Sequence, residues 1–322
     1  MSDDRTQVLD ELRAADKLLL TTHENPDGDA LGSLRATQIV MEALGKDSEM
    51  FMAADNFPLP HEYRHMPFDD VLNEPPADLS ERLVVFLDCG NIDRMPIDLT
   101  GGVRIVNIDH HHDNTRFGDV NYVVADASCT AQIVHDLARE LGVTIDKPLA
   151  EALYIALVTD TGKFMFENTT PAAHQMAADL IAAGVQPQEV HQRLYEGLPF
   201  SRIQLLARAL AAVQRFDDGS ITLTHLTIDD FNHSGAKESD SEGIVDHMRQ
   251  VEGTLVAALV RELLEDNGRR KVSLRATNGR VDVSKIARGF GGGGHRQAAG
   301  FTTDVELPEM IERLRTEVNA QL

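Results

Sequence analysis

The sequence predicts an α/β protein: an N-terminal doubly wound, mostly parallel sheet, joined by a helical linker to a smaller α+β domain with a mixed sheet. Three observations carry this expectation. Apolar runs at 18–20, 83–87 and 103–108 each feed into a cluster of polar, metal-competent side chains. Helix-like stretches separate them, so strand, functional loop and helix alternate, as in a parallel sheet covered on both faces. Beyond residue 217 the texture changes to the alternating pattern of half-buried strands, as at 220–226 and 271–275.

Taken in order, residues 4–16 read as a short amphipathic helix. A strand over 18–22 runs into Thr21-Thr-His-Glu-Asn-Pro-Asp-Gly-Asp-Ala-Leu-Gly-Ser33. Pro26 and Gly28 break regular structure there. Helix 30–44 follows and ends at Gly45, a C-cap signal. Residues 50–53 suit a second strand, and 55–80 are Pro-rich and irregular. Leu83-Val-Val-Phe-Leu87 is a fully apolar strand leading into Asp88-Cys-Gly90. The strand 103–108 leads into Asp109-His-His-His112. Helix 127–141 closes at Gly142, and an apolar helix over 149–159 runs into Asp160-Thr-Gly162. Residues 170–212 look helical, with turns at Gly184 and Gly197-Leu-Pro199, and 203–216 link the domains. Residues 255–263 form a strand or its start. The domains expected are 1–195 and 217–322, with 196–216 as the helical linker.

The 322 residues suit two domains, and a hydrophobic content of 42% allows substantial cores. Cys89 and Cys129 are the only cysteines, so no disulfide framework is expected. Residues 1–16 are charged and lack the apolar core of a signal peptide, and no run reaches the length of a membrane helix. A soluble, cytoplasmic protein is expected. Asp and Glu number 52 against 30 Lys and Arg, a formal charge of −22. Such a coat suits a halophile's surface. Taken alone, it argues against nucleic-acid binding.

Four carboxylates stand out: Asp27, Asp29, Asp88 and Asp160. Gathered without counter-charge they would repel and raise one another's pKa. Two divalent cations would cancel their charge, and His23 and His110 add nitrogen donors. Mixed imidazole and carboxylate ligands favour Mn²⁺, Fe²⁺, Co²⁺ or Zn²⁺ over Ca²⁺. Paired ions are a standard arrangement for phosphoester hydrolysis. Asp27-Gly-Asp29 alone would read as a turn or an N-cap; the joint pattern carries the metal reading. Cys89, beside Asp88, reads as a small buried residue rather than a nucleophile, and His112 as a solvated surface residue.

From Arg269 to Phe301 the charge reverses. Arg269, Arg270, Lys271, Arg275, Arg280, Lys285, Arg288 and Arg296 face a single acid, Asp282. This basic island reads as an anion-binding surface, because arginine's planar fork suits phosphate. Gly291 to Gly294 would let the backbone approach a ligand closely.

These motifs, in this order, resemble the DHH phosphoesterase superfamily. Thr22 to Ser33, Leu87-Asp-Cys-Gly90, Asp109-His-His111 and Asp160-Thr-Gly162 match its signature. Gly291-Gly-Gly-Gly-His-Arg-Gln-Ala-Ala-Gly300 looks like that of its DHHA1 domain. Chain length, Asn114-Thr-Arg-Phe-Gly118 and Asn121-Tyr122 resemble the nano-RNase and pAp-phosphatase (NrnA) group. The resemblance implies a catalytic DHH domain, a substrate-binding DHHA1 domain and an active site in the cleft between them. One metal would take His23, Asp27 and Asp88; the other Asp29, His110, Asp160 and a shared Asp88. Asp109 would orient these ligands, and His111 would face the phosphate. Arg275, Ser284, Arg288, Gly293, Gly294, His295, Arg296, Asn114 and Arg116 would bind substrate. Two Mn²⁺ are implied, with Co²⁺, Fe²⁺, Mg²⁺ or Zn²⁺ as alternatives. The implied reaction is attack by metal-activated hydroxide on short RNA oligomers, and 3′-dephosphorylation of pAp. Cyclic or linear dinucleotides such as c-di-AMP and pApA are the alternative substrates. Less favoured are pyrophosphatase or exopolyphosphatase activity, or an inactive nucleotide sensor. A homodimer fits the family.

Overall fold

The computed structural model describes residues 2–94, 102–265, 268–277, 279–294 and 296–322. It divides into two compact units, Met1–Glu196 and Gly197–Leu322. In the first, the elements run α1 (Ser2–Ala14), β1 (Lys17–Thr21), α2 (Gly28–Ala43), β2 (Asp47–Phe51), β3 (Leu83–Leu87), β4 (Ile105–Asp109), β5 (Val120–Val123), α3 (Thr130–Glu140), α4 (Lys147–Asp160), α5 (Pro171–Ala182) and α6 (Pro187–Tyr195). The five strands lie in the order β2-β1-β3-β4-β5, all parallel.

The apolar runs explain the layering. Side chains alternate across a strand, so Leu18 and Leu20 face one side of the sheet together with Val85, Leu87, Val106 and Ile108. They share a core with Leu31 and Leu34 of α2, Val134 and Leu137 of α3 and Leu153 and Leu157 of α4. On the opposite side Leu19, Val84 and Phe86 pack with Phe51 and Cys89. Leu72, Leu79, Val103, Ile105 and Phe117 cover them. Phe117 meets Phe86 edge-on at 5.3 Å between ring centroids. Irregular segments thus cover this side, including part of the Pro-rich stretch 55–80.

Several boundaries shift by a few residues from the sequence expectation, and two departures bear on the site and its sheet. Helix α2 starts at Gly28, two residues early, because Asp27 caps it: its Oδ1 accepts from the Asp29 and Ala30 amides at 3.0 and 3.1 Å. Strand β5 went unforeseen because Val-Asn-Tyr-Val at a half-buried sheet edge carries little alternation.

Glycines set how closely α2 approaches α4. A Cβ on Gly32 would lie 2.6 Å from the Ala152 carbonyl oxygen and 2.7 Å from the Ala156 Cβ, and one on Gly28 would meet the Thr159 side chain. This seam holds Asp27 and Asp29, at the start of α2, against Asp160, at the end of α4.

The second unit runs α7 (Phe200–Ala211), β6 (Gln214–Phe216), β7 (Ile221–Leu226), α8 (Ile228–Ser234), α9 (Ile244–Arg249), β8 (Val256–Glu262), β9 (Arg270–Ala276), α10 (Val283–Gly289), β10 (Gly293–Gly294), β11 (Ala298–Thr303) and α11 (Leu307–Asn319). Its sheet, ordered β10-β11-β9-β8-β7-β6, is mixed: β7 and β8 are parallel and the remaining pairs antiparallel. Ile286 of α10 and Met310 and Leu314 of α11 cover one face. On the other, Leu205 and Ala209 of α7 pack with Phe231, Ile244 and Met248. The stretch expected as a linker therefore contributes to this unit's core.

Gly32→Ala is expected to destabilise the protein by about 1–3 kcal/mol through overpacking, because its nearest obstacle is a backbone oxygen. Denaturant unfolding checks this; unfolding indistinguishable from wild type would mean the seam is looser than described.

Candidate metal centre

The strand order reverses direction between β1 and β3. Ligands of open α/β sheets bind at such a switch point, outside the carboxyl ends of the strands. The end of β1 delivers His23 and Asp27, and the end of β3 delivers Asp88. Thr22 ties the two ends together, its hydroxyl donating to the Leu87 carbonyl at 2.8 Å. Asp88 has a left-handed backbone, φ 58°. That conformation is unusual outside glycine but is tolerated by Asp and Asn. Asp109, His110 and His111 follow at the end of β4.

The structure brings together all six residues expected as metal ligands. His23, Asp27 and Asp88 place donor atoms within 4.8 Å of one another, as do Asp29, His110 and Asp160. Asp88 spans both sets. Its Oδ2 is 3.7 Å from His23 Nε2 and its Oδ1 is 3.7 Å from His110 Nε2. His110 Nε2 also lies 3.8 Å from Asp29 Oδ2 and 3.7 Å from Asp160 Oδ2. A third set joins Asp88, His110 and His111.

Both imidazoles can present Nε2 as a free donor atom. His110 Nδ1 is 3.3 Å from the Ala127 carbonyl, and His23 Nδ1 is 2.7 Å from the Glu24 carbonyl. An Nδ1–H donated to each carbonyl leaves Nε2 as the free base. Arg94 Nη2 also lies 2.7 Å from His23 Nδ1. The two contacts need opposite tautomers, and ligation through Nε2 would select the one to Glu24. Donor atoms 3.7–3.8 Å apart suit bonds of about 2.0–2.2 Å to one ion. The donor set therefore fits divalent cations.

Electrostatics point the same way. Burial, then Asp29 and the other acids around it, hold the Asp88 carboxyl well above the usual range. Burial and Asp29 push Asp160 up to about 8. Burial also raises Asp29, against the pull of His110 and of the Thr130 and Ala131 amides. His23 is held below its ordinary value, chiefly by burial, so it stays neutral.

Asp109 behaves differently. It is fully buried, yet its carboxyl lies below the ordinary value: burial opposes ionisation, but hydrogen bonds outweigh it. Oδ1 accepts from His111 Nδ1 at 2.7 Å and from the His110 amide at 2.8 Å; Oδ2 accepts from Asn114 Nδ2 at 2.5 Å. His111 moves upward: burial disfavours its charge, and the Asp109 hydrogen bond more than restores it. Cys89 is buried and its thiol is pushed up to about 11, chiefly by burial, which makes it a poor nucleophile.

Asn114 is occupied, donating to Asp109, to Asn107 Oδ1 and to the Cys89 carbonyl. The exposed Arg116 reaches Asp4 at 3.5 Å. In the second unit Arg275 pairs with Asp246 at 3.3 Å. Ser284 is buried and donates to Asp282 at 2.5 Å. Arg288 is exposed. Gly293 and Gly294 form the edge strand β10 beside β11. Arg296 donates to the Gly279 carbonyl at 2.6 Å. His295 lies outside the described residues. Sequence reasoning missed Thr130 and Asn168, whose donors touch Asp29, Asp88 and Asp160. The only available signal was a Ser-Cys-Thr run at a helix start, which reads as capping chemistry.

The profile of the DHH family N-terminal domain matches residues 17–157, and that of the DHHA1 domain matches 220–322. A Thermus thermophilus protein named bifunctional oligoribonuclease and PAP phosphatase NrnA is 35% identical over 318 residues, spanning 98% of this chain and 93% of the relative. The chain belongs to the DHH family. A Bacillus subtilis protein of the same name is 25% identical over 300 residues, 92% of each chain. The fold also matches an exopolyphosphatase-related protein from Bacteroides fragilis, with TM-score 0.89 and 23% identity over 99% of this chain and 96% of that one. Among the described residues no helix is long and apolar enough to cross a membrane.

The raised carboxyls give a pH dependence. Asp160 has a folded value of about 8 against an ordinary 3.8. Its proton is held more tightly in the folded state, so its stabilising contribution is complete below pH 3.8 and is lost as pH rises toward 8. Asp88 acts in the same direction. Metal-free protein should therefore lose stability across this window, and divalent cations should restore more stability at its upper end. Thermal melts in chelator at several pH values check this; Asp160→Asn should flatten the decline, and an unchanged slope would refute the assignment.

Proposed function

We propose that the protein hydrolyses phosphoester bonds in short nucleotides, releasing mononucleotides from short RNA and the 3′-phosphate from pAp. The observation that carries the reading is Asp88, whose two carboxylate oxygens face two separate histidines at 3.7 Å each. That geometry suits a carboxylate shared between two cations. His23, Asp27 and Asp88 would hold one ion; Asp29, His110, Asp160 and the shared Asp88 would hold the other. Mn²⁺ is the ion proposed, with Co²⁺, Fe²⁺, Mg²⁺ or Zn²⁺ as substitutes the donors also suit. When bound, such ions neutralise phosphoryl charge and lower the pKa of water.

The chain's own residues supply the rest. Asp109 accepts from His111 Nδ1 and favours the protonated imidazole, whose Nε2–H can donate to a phosphoryl oxygen or to the departing oxygen. Asn114 fixes Asp109 in turn. Asp27 caps α2 with Oδ1, which leaves Oδ2 for a ligand. In the second unit Arg275 and the glycine-rich stretch with His295 and Arg296 bind nucleotide phosphate, displacing Asp246 from Arg275. The names of the relatives support this substrate class.

Purified protein with Mn²⁺ should turn over pAp and a 5-mer RNA faster than long RNA, c-di-AMP or pyrophosphate. Preference for c-di-AMP or pApA would move the assignment to dinucleotides, and absence of turnover on the whole panel would remove the enzyme reading. Asp88→Asn keeps a residue that tolerates the left-handed backbone and removes the shared charge; its turnover is expected to fall to background.

Arg275→Ala should raise KM for pAp about tenfold or more, the worth of a charge-assisted hydrogen bond. Hydrolysis of a small activated phosphodiester should barely change. Equal losses on both substrates would show that Arg275 does not grip the nucleotide.

A further inference from the structure

We propose that residues 128–130 and Asn168 form a built-in brace that holds the metal-facing carboxylates at ligand spacing before any cation arrives, with Thr130 as its central positioning residue. The inference rests on the two-cation reading above.

A carboxylate offers about four acceptor positions. Three on Asp29 are filled: Oδ1 accepts from Ser33 Oγ at 3.1 Å and from the Ala131 amide at 3.0 Å, and Oδ2 accepts from the Thr130 amide at 2.6 Å. The remaining position on Oδ2 belongs to the oxygen that faces His110. On Asp88, Oδ1 accepts from Thr130 Oγ1 at 3.0 Å and keeps one position on the side of His110 and His111, whose Nδ1 is already bonded to Asp109. Oδ2 stays open toward His23. The donors thus leave vacant the positions that ligation needs.

Thr130 is the one described residue with side-chain or backbone donors to both Asp29 and Asp88. It is fully buried, so water cannot replace it. It is also the first residue of α3, with no preceding helical turn whose carbonyl could capture its hydroxyl. Asn168 extends the brace. Its Nδ2 donates to Asp160 Oδ2 at 3.0 Å and to the Ser128 carbonyl at 2.8 Å, and Ser128 Oγ donates back to the Asn168 carbonyl at 2.6 Å. Residues far apart in sequence thereby fix three mutually repelling carboxylates in one arrangement. Ligands already in place need less ordering when the ion binds.

The two arms of the brace differ in reach. Thr130 acts on Asp88, which is common to both donor sets, whereas Asn168 acts on Asp160, which belongs to one. Thr130→Val removes the hydroxyl but preserves shape and the backbone donor. It should weaken binding of both Mn²⁺ ions by about 10–100-fold. Thr130→Ser, which keeps the hydroxyl, should bind nearly as wild type. Asn168→Ala should weaken one ion about tenfold and leave the other almost unchanged. Calorimetric titration of metal-free protein with Mn²⁺, with electron paramagnetic resonance of the exchange-coupled pair, reads these differences without reference to turnover. Two ions bound by Thr130→Val as tightly as by wild type would overturn the brace. Should Thr130→Val fail to fold, by circular dichroism, Asn168→Ala decides: equal weakening of both ions, or of neither, overturns it. Wild-type protein that binds no Mn²⁺ would remove the two-cation reading, and the brace with it.

Discussion

Mutual repulsion among Asp27, Asp29, Asp88 and Asp160 is the constraint to which the first unit answers. Acids crowded out of water resist ionisation, and Asp88 and Asp160 show it in their raised carboxyls. Only a scaffold that holds them rigidly can keep them together. The parallel sheet does so by ending β1, β3 and β4 at one edge. The helices do so by presenting amide and hydroxyl donors where the carboxylates sit. Asp109 stands apart within the same cluster. It is surrounded by donors rather than acids, so it keeps its charge and lends it to His111. Neighbouring carboxyls thus take opposite roles through environment alone.

Much of this was legible in the sequence because burial and chemistry alternate along the chain. A strand buried on both faces is an unbroken apolar run, and a polar cluster at its end marks the ligand-binding edge. The ends at Leu20, Leu87 and Ile108 could therefore be read directly, together with Asp88 and His110. Asp27 combined two roles that sequence reasoning had set against each other: it caps a helix through one oxygen and leaves the other free. What was not legible depends on contacts between distant segments. Nothing near Thr130 announces that it will meet Asp88, 42 residues earlier, and nothing near Asn168 that it will meet Ser128, 40 residues earlier. The short strands β5 and β10 are half-exposed or glycine-rich and carry little pattern. Asn114 and Ser284 look like free polar groups in sequence, yet the fold turns each toward a neighbouring aspartate.

The basic stretch of the second unit divides on inspection. Arg270 is buried against Glu306 and the Val305 carbonyl, and so serves the fold. Arg275 and Arg296 remain at accessible positions, with partners that a phosphate could displace. A charge count over a segment therefore overstates the charge available to a ligand. The glycines beside them are not slack chain: Gly293 and Gly294 pair with β11, and a side chain on Gly294 would strike the Ala298 carbonyl.

The seam between α2 and α4 has a consequence for how the sequence can drift. Where two side chains touch, a larger residue on one helix can be answered by a smaller one on the other. At Gly32 the opposing atom is the carbonyl oxygen of residue 152, which every amino acid carries. Substitution at the facing position cannot relieve that contact. The spacing between the helices is thus inherited as a unit, while the surfaces around it remain free to change.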